Sequence, residues 1–189
     1  MNILIVTAHP SPEGVTHAIA NTYAEEKRSK GHDVTIVNLY AKENEIPVLS
    51  FTHIREFAIS DVQRKFHEQI LWAHEIVVVH PIWWGLPPSI MKSWVELTFW
   101  PRVTYSYLPN GSVNKLLKGK KAKIFATAGG ASWYHHFIFM PLLSFWDVCV
   151  FGFSGVDVVD VHICGKLDML KGEARTKKIQ TFLEKIKKC

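Results

Sequence analysis

The stretch "EIVVVHPIWWGLPPSIMKSW", residues 75–94, decides how this chain folds. Its first half is an unbroken apolar run, rich in β-branched residues, as in a strand buried on both faces. The run ends at His80, and residues 81–88 then hold three prolines, two tryptophans and a glycine. A helical pattern, "PSIMKSWVELTFW" (88–100), follows, with Pro88 at its start where a missing N–H costs nothing. Strand, stiff opening and helix make half of a βαβ unit. Ligands of open α/β sheets bind at such openings, beyond the C-terminal ends of the strands.

The same alternation extends in both directions. "NILIVTA" (2–8), "DVTIVNL" (33–39), "KAKIFATA" (121–128) and "DVVDVHIC" (157–164) read as further strands. "HAIANTYAEEKRSKG" (17–31), "ISDVQRKFHEQILWA" (59–73), "PLLSFWDVCVFG" (141–152) and "MLKGEARTKKIQTFLEKIKK" (169–188) read as helices. Five strands, each followed by a helix, predict an α/β fold with one parallel sheet covered on both faces. The natural strand order is 2-1-3-4-5, with its switch point between strands one and three. Functional residues are then expected after Ala8, after His80 and after Thr127. There is neither internal repeat nor linker, so residues 1–189 are expected to form a single domain.

Composition narrows the function classes. Nearly half of the chain is hydrophobic, which excludes a disordered or low-complexity protein. A net charge of +5 favours anionic partners without choosing among them, and no nucleic-acid partner is expected. The three cysteines are widely spaced and form no CxxC, so structural thiols in a reducing, cytoplasmic setting are expected. The most apolar stretch, 137–153, is interrupted by Pro141 and Asp147 and is too short to span a bilayer, so no membrane insertion is expected.

Three loops carry the chemistry. In "HPSPEGVTHA" (9–18), Ser11, Gly14 and Thr16 precede a helix. This suits either a phosphate site at the helix N-terminus or an ordinary turn capped by Thr16. It is neither a P-loop nor a GxGxxG string. In the opening after strand three, Trp83 and Trp84 lie past the sheet, and one or both should line a cleft or pack at an interface. In "TAGGASWYHHF" (127–137), Gly129 and Gly130 allow close backbone approach, and Tyr134, His135 and His136 supply proton-transfer groups. The adjacent histidines point in different directions and have no carboxylate at ligand spacing, so no metal is expected. In the long segment 99–121, Tyr105 and Tyr107 should face one side and can cover a mouth.

Taken together, these motifs resemble the flavodoxin-like NAD(P)H:quinone oxidoreductases, the DT-diaphorase group. That family carries a histidine after strand one, "PxxWxxxPxxxKxW" after strand three, "YxY" in the long loop, and "TTGG" plus a tyrosine after strand four. Here these are His9; Pro81, Trp84, Pro88, Lys92 and Trp94; Tyr105 and Tyr107; and Thr127, Ala128, Gly129, Gly130 and Tyr134. The resemblance implies a flavodoxin-like three-layer sandwich that binds flavin. His9, Val15 and Thr16 would hold its phosphate side. Pro81, Ile82, Trp83, Trp84 and Gly85 would border the ring, and Thr127 to Gly130 its other edge. Tyr105 and Tyr107 would cover the substrate. A tyrosine and a histidine, here Tyr134 with His135 or His136, would stabilise charge on the reduced flavin.

The short loop after strand two favours FMN over the alternative, FAD. NAD(P)H would be the co-substrate and a flat, quinone-like molecule the acceptor. The resemblance further implies a homodimer with active sites at the seam, where 137–153 is either seam or internal core. Two rival readings share the motifs: a non-catalytic, flavin-binding regulatory subunit of a transporter, and a flavodoxin-type electron carrier. Carriers of that kind are usually acidic, and this chain is basic.

Overall fold

The computed structural model describes residues 1–41, 46–53, 58–137 and 141–189, without the side chains of His136, Phe137 and Pro141. Strands β1 (Asn2–Thr7), β2 (Asp33–Asn38), β3 (Glu75–Pro81), β6 (Lys121–Thr127) and β7 (Asp157–Cys164) form one sheet. Its order is β2-β1-β3-β6-β7 and every pairing is parallel, which is the expected 2-1-3-4-5 arrangement. The apolar runs of β1, β3 and β6 occupy its centre, where both faces are covered.

Alternate strand residues separate the core into two layers. Ile3, Ile5, Val77, Val79 and Phe125 pack against Ile19, Tyr23 and Ala24 of α1 (Val15–Ser29) and Phe182 and Ile186 of α6 (Gly172–Lys187). Leu4, Val6, Ile76, Val78 and Ile124 face the other side. There they meet Phe66 and Ile70 of α2 (Asp61–Trp72), and Met91 and Trp94 of α3 (Ser89–Thr98). Period-two alternation in the strands meets 3.6-residue periodicity in the helices, and three layers result.

Between β3 and β7 the structure departs from the expected plain alternation. The long segment after α3 contains an antiparallel hairpin, β4 (Tyr105–Tyr107) with β5 (Val113–Lys115). Three residues per strand leave too little alternation to be legible. A short helix, α4 (Ser132–Phe137), follows the β6 loop. The helix expected over 141–152 is a turn of α-helix, α5 (Pro141–Leu143), that continues into a π-helix over Ser144–Gly152. Apolar periodicity does not distinguish these two windings. Gly152 accommodates the wide turn, because a Cβ there would collide with the carbonyl oxygen of Asp147. Trp146 and Phe151 of this segment are buried in the same core layer as α2 and α3.

Candidate functional site

A cavity of about 520 Å³ opens beyond the C-terminal ends of β1, β3 and β6, at the switch point of the sheet. The turn after β1 contributes His9, Ser11, Glu13, Gly14, Val15 and Thr16 to it. The end of β3 and the turn beyond it contribute Pro81, Ile82 and Trp83, and the end of β6 contributes Thr127, Ala128 and Gly129. The three expected loops therefore meet in one cleft.

The first wall is the start of α1. Gly14 is the N-cap, in extended conformation; no side chain caps the helix and its first turn has no acidic residue. The amides of His17 and Ala18 return to the Gly14 carbonyl at 2.9 and 3.3 Å. The amides before them precede the intrahelical bonds, so the positive end of the helix faces the cleft, an arrangement suited to an anion. Thr16 is not the cap that its sequence position suggested. It lies inside the first turn, buried, with its hydroxyl 3.5 Å from that of Thr127. Glycine takes the capping place because a side chain there would not fit: a Cβ on Gly14 would come within 2.6 Å of the His9 ring.

That ring is held against its own loop: His9 Nδ1 lies 3.1 Å from both the amide nitrogen and the carbonyl oxygen of Ser11. His17 Nε2 donates to the His9 carbonyl at 3.1 Å and braces the loop.

The second wall is the turn that follows β3. Trp83 to Leu86 form a tight turn closed by Trp83 N–H to Leu86 O (2.9 Å) and Leu86 N–H to Trp83 O (3.0 Å). Both central residues have positive φ, 53° at Trp84 and 82° at Gly85, as in a type I′ turn. Such a turn puts successive side chains on different sides. Trp83 turns to the cleft, 6.5 Å from the His9 ring, and Trp84 projects fully into solvent. The Ile82 amide donates to Thr127 O at 2.8 Å and ties this wall to β6.

A fourth segment was not anticipated. Leu167, Asp168 and Arg175 also line the cleft. The loop after β7 is bound to the β6 turn through Lys166 N–H to Gly130 O (2.6 Å) and Leu167 N–H to Ala128 O (3.1 Å). Arg175 Nε donates to Leu167 O at 3.1 Å, which places its guanidinium beside the opening. A Cβ on Gly129 would meet the Asp168 carboxylate, so the glycine lets that side chain lie against the main chain. The signal for this wall was available: the fifth strand ends on the same sheet edge, and its loop leads into a basic helix.

Trp84, Gly85 and Gly130 stand next to lining residues without lining the cavity themselves. Tyr134 and His135 lie on α4, just past the β6 turn, with their rings edge-on at 5.9 Å. The His135 ring approaches the β6 turn: a Cβ on Gly130 would stand 3.9 Å from its Nε2. The side chain of His136 lies outside the described residues. Tyr105 and Tyr107 do share a side of β4, with ring centres 5.7 Å apart. They sit away from this cavity, and Tyr105 packs on Phe153 at 4.9 Å. Burial raises the Tyr105 phenol above its usual range.

Among the described residues one group of metal-donor atoms comes together, on Asp160, His162 and Cys189. Their contacts account for the grouping: His162 Nε2 meets Asp160 Oδ1 at 2.9 Å, and Cys189 Sγ donates to Lys185 O at 3.4 Å. Among the described residues no helix is long and apolar enough to cross a membrane.

Comparison with known proteins agrees with this geometry. An uncharacterized NAD(P)H oxidoreductase of Haemophilus influenzae is 29% identical over 192 residues, covering 98% of this chain and 94% of that protein. FMN-dependent NADH:quinone oxidoreductase 2 of Listeria innocua is 30% identical over 148 residues, 68% of this chain and 69% of its own. The crystal structure of Smu.1420 from Streptococcus mutans UA159 shares the fold over 100% of both chains, with a TM-score of 0.84 at 24% identity. The family model described as a flavodoxin-like fold matches residues 1–189. The strand order, the cleft at the switch point and this match along the whole length agree, and the chain belongs to the family with that flavodoxin-like fold.

Proposed function

We propose that this chain is an FMN-dependent NAD(P)H oxidoreductase that reduces quinones or similar flat acceptors by two electrons. The observation that carries the reading is the pairing, in one cavity, of an uncapped helix N-terminus with a flat tryptophan wall. The first suits a phosphate and the second a planar ring. Relatives named FMN-dependent NADH:quinone oxidoreductase support it.

The residues present fit a ring with a phosphate tail. The donors at the helix end are amides, hydroxyls and a guanidinium, and the two carboxylates lining the cavity, Glu13 and Asp168, lie outside the first turn of the helix. When bound, FMN supplies the hydride and two-electron chemistry. The amides of Val15 and Thr16, the hydroxyls of Thr16 and Thr127, and Arg175 hold the phosphate. His9 presents its ring from the same side. Pro81, Ile82 and Trp83 form the wall for the ring, with Trp84 and Gly85 at its rim. Thr127, Ala128, Gly129 and Gly130 offer main chain to the opposite edge, as donors toward developing negative charge. Tyr134 and His135 on α4 hold the proton-transfer role, and His136 belongs to the same segment. Tyr105 and Tyr107 cover the acceptor.

We assign the chain as one flavodoxin-like domain, 1–189, acting as a cytoplasmic homodimer on small molecules rather than on nucleic acid or membrane. Three free cysteines agree with a reducing compartment. Exposed Trp84, Tyr107, Trp133 and Tyr134 offer an aromatic surface for the seam, across which Tyr105 and Tyr107 would reach the partner's cleft.

The test is to denature the purified protein, identify the released chromophore by chromatography, and follow NADH and NADPH oxidation with and without menadione. FMN together with menadione-dependent oxidation is expected. FAD would revise the cofactor. Bound flavin without turnover would favour a regulatory subunit or carrier. A colourless protein that cannot be reconstituted would overturn the reading.

A further inference from the structure

We propose that His80 is a positioning residue, which couples the packing of the π-helical segment to the flat wall of the cleft. This rests on the FMN reading above. His80 lies at the C-terminal end of β3 and is completely buried. It does not line the cavity, but the next two residues, Pro81 and Ile82, do.

Both ring nitrogens of His80 are used, in opposite senses. Nδ1 lies 2.9 Å from the carbonyl oxygen of Pro81. A carbonyl only accepts, so Nδ1 carries the proton. Trp146 Nε1 donates to Nε2 at 3.0 Å, and an indole N–H only donates, so Nε2 is bare. One neutral tautomer satisfies both bonds, and no other state of the ring does. The result is a chain of contacts: Trp146 to His80, His80 to Pro81, and from the neighbouring Ile82 amide to Thr127 at the end of the adjacent strand β6.

The other end of that chain is a rare structure. Trp146 is buried within the π-helix, stacked on Phe151 at 5.2 Å and edge-on to Phe145 at 4.8 Å. π-Turns are rare and are frequently found at functional sites. On the opposite face of this segment, Val148 and Cys149 are exposed. Anything that shifts the segment from outside displaces Trp146. His80 cannot follow while keeping both bonds, unless Pro81 moves too. The tryptophan therefore sets where the flavin-facing main chain stands without touching the ligand.

Three variants separate the two bonds. His80→Asn retains a donor for the Pro81 carbonyl and cannot reach Trp146. His80→Gln places an amide oxygen where Nε2 stood. Trp146→Phe removes the indole donor and keeps the aromatic packing. The primary readouts are FMN affinity, by fluorescence quenching on titration of apo-protein, and the shape of the bound flavin's visible absorption band. Losing one buried hydrogen bond at the hinge should weaken FMN binding by about threefold to tenfold and shift the band. Trp146→Phe and His80→Asn, which lose the Trp146 bond, should do this equally, and their double variant should be no worse than either; His80→Gln, which loses the Pro81 bond, should do it as well.

Hydrogen exchange at the Ile82 amide of apo-protein reads the same coupling without flavin. It should speed up by about tenfold in Trp146→Phe and His80→Asn, while the amides of β1 keep their rates. Equal acceleration throughout the sheet, or unchanged affinity and band with only a lower melting temperature, would overturn the proposal. If wild type binds no FMN, the cofactor reading fails, and the exchange at Ile82 still decides the positioning role. If Trp146→Phe does not fold, the pair at position 80 decides it.

Discussion

The two ends of the central sheet treat their polar groups in opposite ways. Near the N-terminal ends of the strands, Tyr23, Glu75 and Lys123 are buried and satisfy one another. The Tyr23 hydroxyl donates to Glu75 Oε1 at 2.6 Å. Lys123 Nζ donates to that hydroxyl at 3.0 Å, stands 3.4 Å from Glu75 Oε2, and donates to the main-chain oxygen of Cys189 at 2.7 Å. Burial, reinforced by Glu75, holds the Tyr23 phenol far above its ordinary range, so it remains a donor. At the C-terminal ends, the helix start is uncapped, the Thr16 and Thr127 hydroxyls are only 3.5 Å apart, and Arg175 flanks an open cavity. A polar group satisfied within the chain holds the fold together. One that lines an open cavity is placed where a ligand can reach it.

That contrast can be broken at the closed end first. Glu75→Ala leaves a buried lysine uncompensated and should cost about 3–5 kcal/mol in denaturant unfolding, with FMN affinity per folded molecule unchanged. A loss under about 1 kcal/mol would show that the closed network does not hold the fold.

The boundary between the ends is sharpened by pH. Burial pushes the His80 pKa down from 6.5 to about 4, partly opposed by the bond to the Pro81 carbonyl. The unfolded chain takes up a proton near pH 6.5 that the native ring refuses until about 4. The stability due to neutral His80 is thus complete above pH 6.5 and lost as pH falls toward 4, by about 3 kcal/mol in all. Burial also holds His67 low, and it adds in the same direction. Urea midpoints measured across this window should fall with acid, less steeply in His80→Gln.

At the open end the effects are on chemistry instead. Tyr134→Phe should slow flavin reduction by about tenfold or more in stopped flow, with flavin content unchanged. An unchanged rate would remove Tyr134 from the reaction. Arg175→Ala should weaken FMN by about threefold to tenfold and reduce the salt dependence of binding, with little change in melting temperature of the apo-protein. A large loss of stability there would make Arg175 a structural residue and blur the distinction between the ends.

Much of this was legible beforehand because strand runs such as "NILIVT" and "EIVVVHP" carry no competing pattern. Uninterrupted β-branched residues demand burial on both faces, and only central parallel strands provide it. The three cleft loops followed from the switch-point rule. What stayed hidden depended on small or distant features. "YSY" and "VNK" are too short to announce a hairpin. Trp84 and Trp83 are adjacent in sequence, and the turn geometry sends one out and keeps the other in.

By itself, then, the order of residues determined the layers, the strand order and the neighbourhood of the cleft, because periodic burial is a local property of the chain. Tertiary structure alone decided that Thr16 meets Thr127, that Leu167, Asp168 and Arg175 close the cleft, and that His80 joins Trp146 to Pro81. Apart from His80 and Pro81, those partners lie far apart along the chain, and only the packed parallel sheet sets the distances between them.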